Sequence, residues 1–197
     1  MSNSSLVSYT RLSPNHSGKR THKIDTITIH CMAGQMTVEG CGATFASPAN
    51  PASSNYGVGR DGRIGLYVDE GNRSWCSSNG PNDQRAITIE VASDDREPYA
   101  VNPEAYAAML DLVEDCCLRN GIKKLVWSTD KADRVNHRNG CNMTVHRDYA
   151  AKSCPGTYLY ERMGSIAEEI NRRLGAAGSS EGEKPAAFIP YTVRVEI

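Results

Sequence analysis

Asp25-Thr26-Ile27-Thr28-Ile29-His30 alternates polar and apolar residues, and Ala86-Ile87-Thr88-Ile89-Glu90-Val91 repeats the pattern sixty residues later. A period of two sends alternate side chains to opposite faces of a strand. Each run is therefore predicted as a half-buried strand with an isoleucine face and a polar face. His30 and Glu90 stand at equivalent places near the ends of the polar faces. If the two strands are neighbours in one sheet, His30 and Glu90 approach one another.

Working outward, Asp61-Gly62 lies between Asn55-Tyr-Gly-Val-Gly-Arg60 and Arg63-Ile-Gly-Leu-Tyr-Val68. The dipeptide favours a tight turn, so this segment reads as a hairpin with Tyr56 opening its first arm. Residues 37 to 46 suggest a short helix. Asn102-Pro103-Glu104 has the order cap, first-turn proline and first-turn acid, and Gly121 closes a helix carrying Tyr106, Met109, Leu110, Val113 and Cys117 on one stripe. In that helix, one of Cys116 and Cys117 is expected in the core and the other at its edge. A short strand is expected around Leu125-Val-Trp127, and a last helix from about Tyr158 to Leu174. Strands alternating with helices predict an α/β domain built on a central sheet with helices on its faces.

The 197 residues suffice for one principal domain and an appendage. Residues 1 to 23 are polar and read as an N-terminal extension, with order beginning near Ile24. Residues 24 to 174 form the domain. Residues 175 to 190 have linker composition, and Tyr191-Thr-Val-Arg-Val-Glu-Ile197 alternates like the first strand of a further module, or one that docks back on the domain. A net charge of -1 gives no general attraction to nucleic acid or anionic membranes. No run approaches the roughly 20 apolar residues of a membrane span, and the start lacks a secretion signal. The chain is thus expected to be made in a cytoplasm and not inserted in a membrane. Seven cysteines, an odd number without a secretion signal, read as reduced thiols.

Val145-His-Arg-Asp-Tyr-Ala-Ala-Lys-Ser-Cys-Pro155 places His146 and Cys154 close together around Lys152. Imidazole and thiolate are donors that zinc favours, and a catalytic zinc keeps three protein ligands and one open position. Pro155 biases Cys154 toward an extended conformation. These two residues leave a third ligand to be found. His137 and Cys141 also precede His146 and read as loop residues.

In order, Ile-Thr-Ile-His30-Cys31, Asn55-Tyr56 before Arg60-Asp61-Gly62, Ile-Thr-Ile-Glu90, and His146 with Lys152-Ser-Cys154-Pro155 resemble the zinc-dependent N-acetylmuramoyl-L-alanine amidases of the phage lysozyme amidase and peptidoglycan recognition protein type. The resemblance covers about residues 24 to 174. It implies a central mixed sheet flanked by helices, with His30, His146 and Cys154 holding Zn2+ and Tyr56 and Lys152 lining the reaction centre. Glu90 takes the place of a catalytic glutamate, and Trp75 and Asn79 are implied as substrate contacts. Arg73-Ser-Trp75-Cys76 departs from the pattern, since histidine often follows the tryptophan.

Each residue also has a plainer reading. Tyr56 can pack at a hairpin edge, Glu90 can orient a ligand histidine, and Lys152 can be a solvated loop charge. Zinc on two neutral imidazoles and one thiolate retains positive charge, enough to lower the pKa of water toward about 7 and polarise an amide carbonyl. The implied partner is peptidoglycan and the bond is the amide between N-acetylmuramic acid and L-alanine. The resemblance further implies a phage or prophage endolysin that waits in the host cytoplasm, acts on the wall after release, and begins a wall-binding SH3-like module at residue 191. A non-catalytic peptidoglycan-binding domain and a cytoplasmic muropeptide-recycling amidase are the alternatives.

Overall fold

The structure is a computed structural model and describes residues 2–179. Its centre is a six-stranded mixed sheet in the order β1-β5-β4-β7-β3-β8. The strands are β1 (Val7–Thr10), β3 (Thr26–Cys31), β4 (Tyr56–Val58), β5 (Ile64–Leu66), β7 (Ala86–Val91) and β8 (Met143–Val145). β4 and β5 form the antiparallel hairpin anticipated at Asp61-Gly62, with Gly62 at φ +76°. The other pairings are parallel. A second, two-stranded sheet joins β2 (His16–Lys19) to β6 (Asn72–Ser74).

Parallel strands are usually covered on both faces. Ile27, Ile29, Ile87 and Ile89 turn to the side packed by α3 (Pro103–Asn120) and α5 (Gly156–Ser179), and all four are fully buried. α3 begins on Asn102, whose side chain accepts from the Ala105 amide, and ends at Gly121 with φ +69°. Only a residue without a Cβ adopts that conformation at little cost. Both Cys116 and Cys117 are buried, so neither lies at the helix edge.

The polar face of β3 is also buried, contrary to the half-buried strand expected of it. α2 (Gly80–Arg85) lies over this face, and Asn82 donates to Thr28 Oγ1 at 3.1 Å and accepts from Thr144 Oγ1 at 2.9 Å. The threonines thus find hydrogen bonds in place of water, as buried polar groups must.

Three further expectations are corrected. The first 23 residues are not an extension outside the ordered domain: β1 is an edge strand of the main sheet, and β2 pairs with β6. Their polar sequence hides this because they are edge strands, half exposed along their length. Residues 125 to 127 do not form a strand; the Leu125 and Val126 amides donate instead to the side chains of Asn171 and Asn142. The last helix continues past Leu174 to Ser179, through residues assigned to a linker by composition. The expected strand at 191–197 lies outside the described residues. Short helices α1 (Val38–Phe45) and α4 (Lys131–Val135) complete the fold.

Candidate active site

The register of the central strands builds the site. β3 and β7 run parallel with His30 directly opposite Glu90, and His30 Nδ1 lies 3.9 Å from Glu90 Oε1. β8 flanks β3 on its other side and delivers the chain into a 3-10 turn that begins at His146. The His30 and His146 rings meet edge-on with centroids 5.1 Å apart. Cys154 closes the group, its Sγ lying 3.4 Å from His30 Nδ1 and accepting from the Cys31 amide at 3.4 Å. One ligand atom from each of His30, His146 and Cys154 lies within 4.8 Å of the others.

This donor set fits a zinc ion. With Zn–N near 2.05 Å and Zn–S near 2.3 Å, a tetrahedral angle sets the N to S separation at about 3.6 Å, and the observed 3.4 Å agrees. Burial, reinforced by the charge of the other histidine, pushes the His30 pKa well below its usual value, and burial with the nearby Lys152 lowers that of His146. Both shifts favour the neutral ring, the form in which imidazole binds metal. Burial pushes the Cys154 thiol up, a preference that a dication in contact with the sulfur reverses. His30 Nε2 and Glu90 Oε2 are buried without hydrogen-bond partners, so protein contacts alone leave the polar demand of this centre unmet.

Glu90 is raised well above the usual carboxylate range, chiefly by burial and further by the Cys31 thiol, although Cys76 opposes this by hydrogen bonding at 3.8 Å. A carboxyl so placed is poised to carry a proton. Lys152 is exposed and lines a cleft of about 340 Å3 together with His146, Trp75, Asn79 and Arg73. Trp75 is held by its indole N–H, which donates to Ser17 Oγ at 2.6 Å, and Asn79 caps α2 by accepting from the Asn82 amide at 2.9 Å. The structure thus brings together seven of the eight residues singled out from the sequence.

Tyr56 is the exception, and its catalytic reading is corrected. It pairs with Ile89, one residue before Glu90, so the alternation of β4 turns its ring to the helix-covered face. There it is fully buried, and its hydroxyl donates to Glu70 Oε1 at 2.7 Å and accepts from the Ser4 amide at 2.9 Å. Glu70 is held in turn by Arg119 and Asn120.

Two neighbours of the site were given no role from the sequence. Ser78 Oγ lies 3.0 Å from His146 Nε2, reached through a positive φ of 61° that serine seldom adopts. Cys76, singled out only because it stands where histidine was anticipated, is the residue that bonds Glu90. His137 and Cys141 are confirmed as loop residues, joined by a 3.0 Å contact between His137 Nδ1 and the Cys141 carbonyl.

The mixed sheet thus gathers two histidines and a cysteine beside a buried carboxyl, a grouping that could hold a metal ion. The chain belongs to the N-acetylmuramoyl-L-alanine amidase family, whose pattern matches residues 20–157. It is therefore an amidase. No curated protein sequence matches it. Among solved structures it is similar to the Staphylococcus aureus hydrolase AmiA in complex with its ligand, with a TM-score of 0.64 and 16% identity over 86% of this chain and 84% of that one. A mutant endolysin from Bacillus subtilis aligns at a TM-score of 0.60 and 19% identity, covering 82% of this chain and 97% of that one. An AmpD derivative gives 0.60 and 18%, covering 83% and 96%. These likenesses establish the fold, the mixed sheet with flanking helices expected from the sequence.

Proposed function

We propose that the chain is a zinc-dependent amidase that cleaves the amide between the lactyl group of N-acetylmuramic acid and L-alanine in peptidoglycan. The observation that carries this reading is the meeting of His30, His146 and Cys154 beside Glu90. His30 Nδ1, a nitrogen of His146 and Cys154 Sγ would hold the metal. Bound there, zinc would supply a Lewis acid that polarises the carbonyl and makes water acidic near neutral pH.

The chain's own groups supply the rest. Glu90 takes a proton from the attacking water and delivers it to the leaving amine nitrogen, a transfer that requires hydrogen-bond reach of both. Lys152 turns a positive charge toward the developing oxyanion at the cleft wall. Ser78 holds the His146 ring, and Cys76 holds one oxygen of Glu90. Trp75 offers an apolar surface and Asn79 a polar one to the substrate.

An endolysin role is supported by the resemblance of the fold to a mutant endolysin from Bacillus subtilis. No described helix is long and apolar enough to cross a membrane. From the sequence of residues 175 to 190 and 191 to 197 we further read a linker followed by the start of a wall-binding module, with the enzyme reaching its substrate on release from the cytoplasm. The test incubates purified wall with the protein, with and without a chelator, and counts new alanine amines against new reducing sugar ends. Amines that disappear with the chelator are expected. Sugar ends without amines would overturn the amidase reading, and neither product would leave a binding domain.

A further inference from the structure

His30 belongs to a second group of donors besides the one it forms with His146 and Cys154. His30, Cys76 and Glu90 each offer a ligand atom, and these three atoms also lie within 4.8 Å of one another. Cys76 Sγ is 3.8 Å from Glu90 Oε1, which lies 3.9 Å from His30 Nδ1. The backbone at Cys76 is held in place: its amide donates to Asp83 Oδ2 at 3.1 Å, and the Ser77 amide donates to Asp83 Oδ1 at 3.2 Å. His30 is fully buried, and Glu90 Oε2 is buried with no hydrogen-bond partner among the described residues. Cys76 also lines the cleft, which gives an ion access to the group.

The two groups differ in charge and in spacing. A metal-bound thiol is deprotonated, so Cys154 with two neutral imidazoles leaves a dication one net positive charge. Cys76 and Glu90 with one imidazole neutralise it completely. Burial favours the neutral assembly, because an uncompensated charge is costly away from water. With Zn–N near 2.05 Å, Zn–O near 2.1 Å and Zn–S near 2.3 Å, a tetrahedral zinc sets N to O at about 3.4 Å and S to O at about 3.6 Å. The observed 3.9 Å and 3.8 Å are both longer. A larger cation spans them with less movement, and the thiolate selects a soft one.

We propose that His30, Cys76 and Glu90 form a second cation site for a soft divalent ion larger than zinc, such as Cd2+, and that its occupancy excludes zinc from the first site. His30 Nδ1 is 3.4 Å from Cys154 Sγ and 3.9 Å from Glu90 Oε1, so one nitrogen faces two donor sets and bonds one ion at a time. Cys76 stands where the sequence resemblance anticipates histidine, and its thiolate is what makes the second set soft. The second site rests on its own three donors. The exclusion rests on the reading of His30 as a zinc ligand. An ion in the second site also holds the carboxylate proposed to carry the proton, so it blocks amide cleavage twice over.

The test uses the full chain with a phosphine reductant that keeps the thiols reduced, and measures affinity for Zn2+ alone and for Cd2+ alone by competition with a chromophoric chelator. Cys76→Ser should weaken cadmium binding by at least about 100-fold, the upper end for losing a partner that merely orients a ligand, and zinc binding by less than about tenfold. Cys154→Ser should do the reverse. Glu90→Gln keeps the shape, removes the charge and should behave as Cys76→Ser does. A variant that folds poorly weakens both metals together and is recognised by its melt, so the ratio of the two affinities in folded variants carries the result. Cadmium titrated into the zinc-loaded parent should release zinc one for one, with no more than one ion per chain.

Affinity ratios that stay unchanged in folded Cys76→Ser and Glu90→Gln would overturn the second site. So would a cadmium preference that follows Cys31→Ser instead, the Cys31 amide being bonded to Cys154 Sγ. Zinc and cadmium bound together, two ions per chain, would overturn the sharing of His30. A parent chain that binds no zinc would remove the zinc reading of the first site, whereas a chain that binds zinc with cadmium affinity indifferent to Cys76 would remove the second site alone.

Discussion

Arg134 and Asp148 form a buried ion pair that holds the turn carrying His146, and breaking it should cost more than any surface substitution. Arg134 is 1% exposed and donates to Asp148 from Nε at 3.0 Å and from Nη2 at 2.6 Å. It also donates to the Ser128 carbonyl at 2.7 Å and lies 4.3 Å from the Trp127 ring centroid. Asp148 additionally accepts from the Val145 amide at 3.1 Å, immediately before His146. Arg134→Met leaves a buried carboxylate without its partner, at a cost of about 3–5 kcal/mol. At roughly 2–4 °C per kcal/mol for a domain of this size, the melting temperature should fall by about 6–20 °C. The double variant Arg134→Met/Asp148→Leu removes both charges and should recover much of that loss, because no unpaired ion remains. Melting is measured in excess chelator, since bound metal adds its own stabilisation. Zinc affinity is measured separately by competition with a chromophoric chelator. The single variant should bind zinc about 10–100-fold more weakly, as for loss of a partner that orients a ligand. Strictly additive losses in the double variant, or a single variant that melts within about 2 °C of the parent, would refute this reasoning.

Other substitutions separate structure from chemistry. Tyr56→Phe should lower stability by about 1–2 kcal/mol in denaturant melts, since the Ser4 amide and Glu70 each lose a partner, while activity per folded molecule stays unchanged; a large loss of kcat would return Tyr56 to the reaction. Cys154→Ser should lower zinc content, by metal analysis, in parallel with amine release; full activity at low zinc content would contradict the assigned ligand set. Asp25→Asn should be felt at neutral pH and not in acid. Burial alone would raise the Asp25 pKa, yet the hydrogen bonds from Arg85 and Thr26 and the charges of Arg85 and His22 together outweigh it and hold the folded value below the usual one. A depressed carboxylate stabilises above its unfolded pKa and loses that contribution as pH falls through its folded one. The difference between Asp25→Asn and the parent in pH-dependent melts should therefore shrink toward acid, and a constant difference would contradict the linkage.

Much of the site was legible because the information is local. His30 and Glu90 end matching alternating runs, and the period of two places both on the same strand face as the threonines, opposite the isoleucines. The pair becomes a site once β3 and β7 are adjacent and in register, which the repeated pattern suggested. His146, Lys152 and Cys154 were visible because one loop supplies all three. Tyr56 was misjudged for a related reason: its motif was correct, but its face depends on the register of β4 against β7, and a shift of one residue exchanges the two faces. The N-terminal strands were missed because edge strands need no continuous apolar run.

By itself the sequence determined the strand and helix periodicities, the turn at Gly62, the caps at Asn102 and Gly121, and the donor atoms available for a metal. These follow from backbone sterics and side-chain chemistry within a few residues. Only the tertiary structure decided that His30 Nδ1 and Cys154 Sγ stand 3.4 Å apart, that Tyr56 turns away from them toward Glu70, and that Cys76 Sγ lies 3.8 Å from Glu90 Oε1. Each of these depends on contacts between residues distant in the chain, which strand order and register set through packing of the whole core.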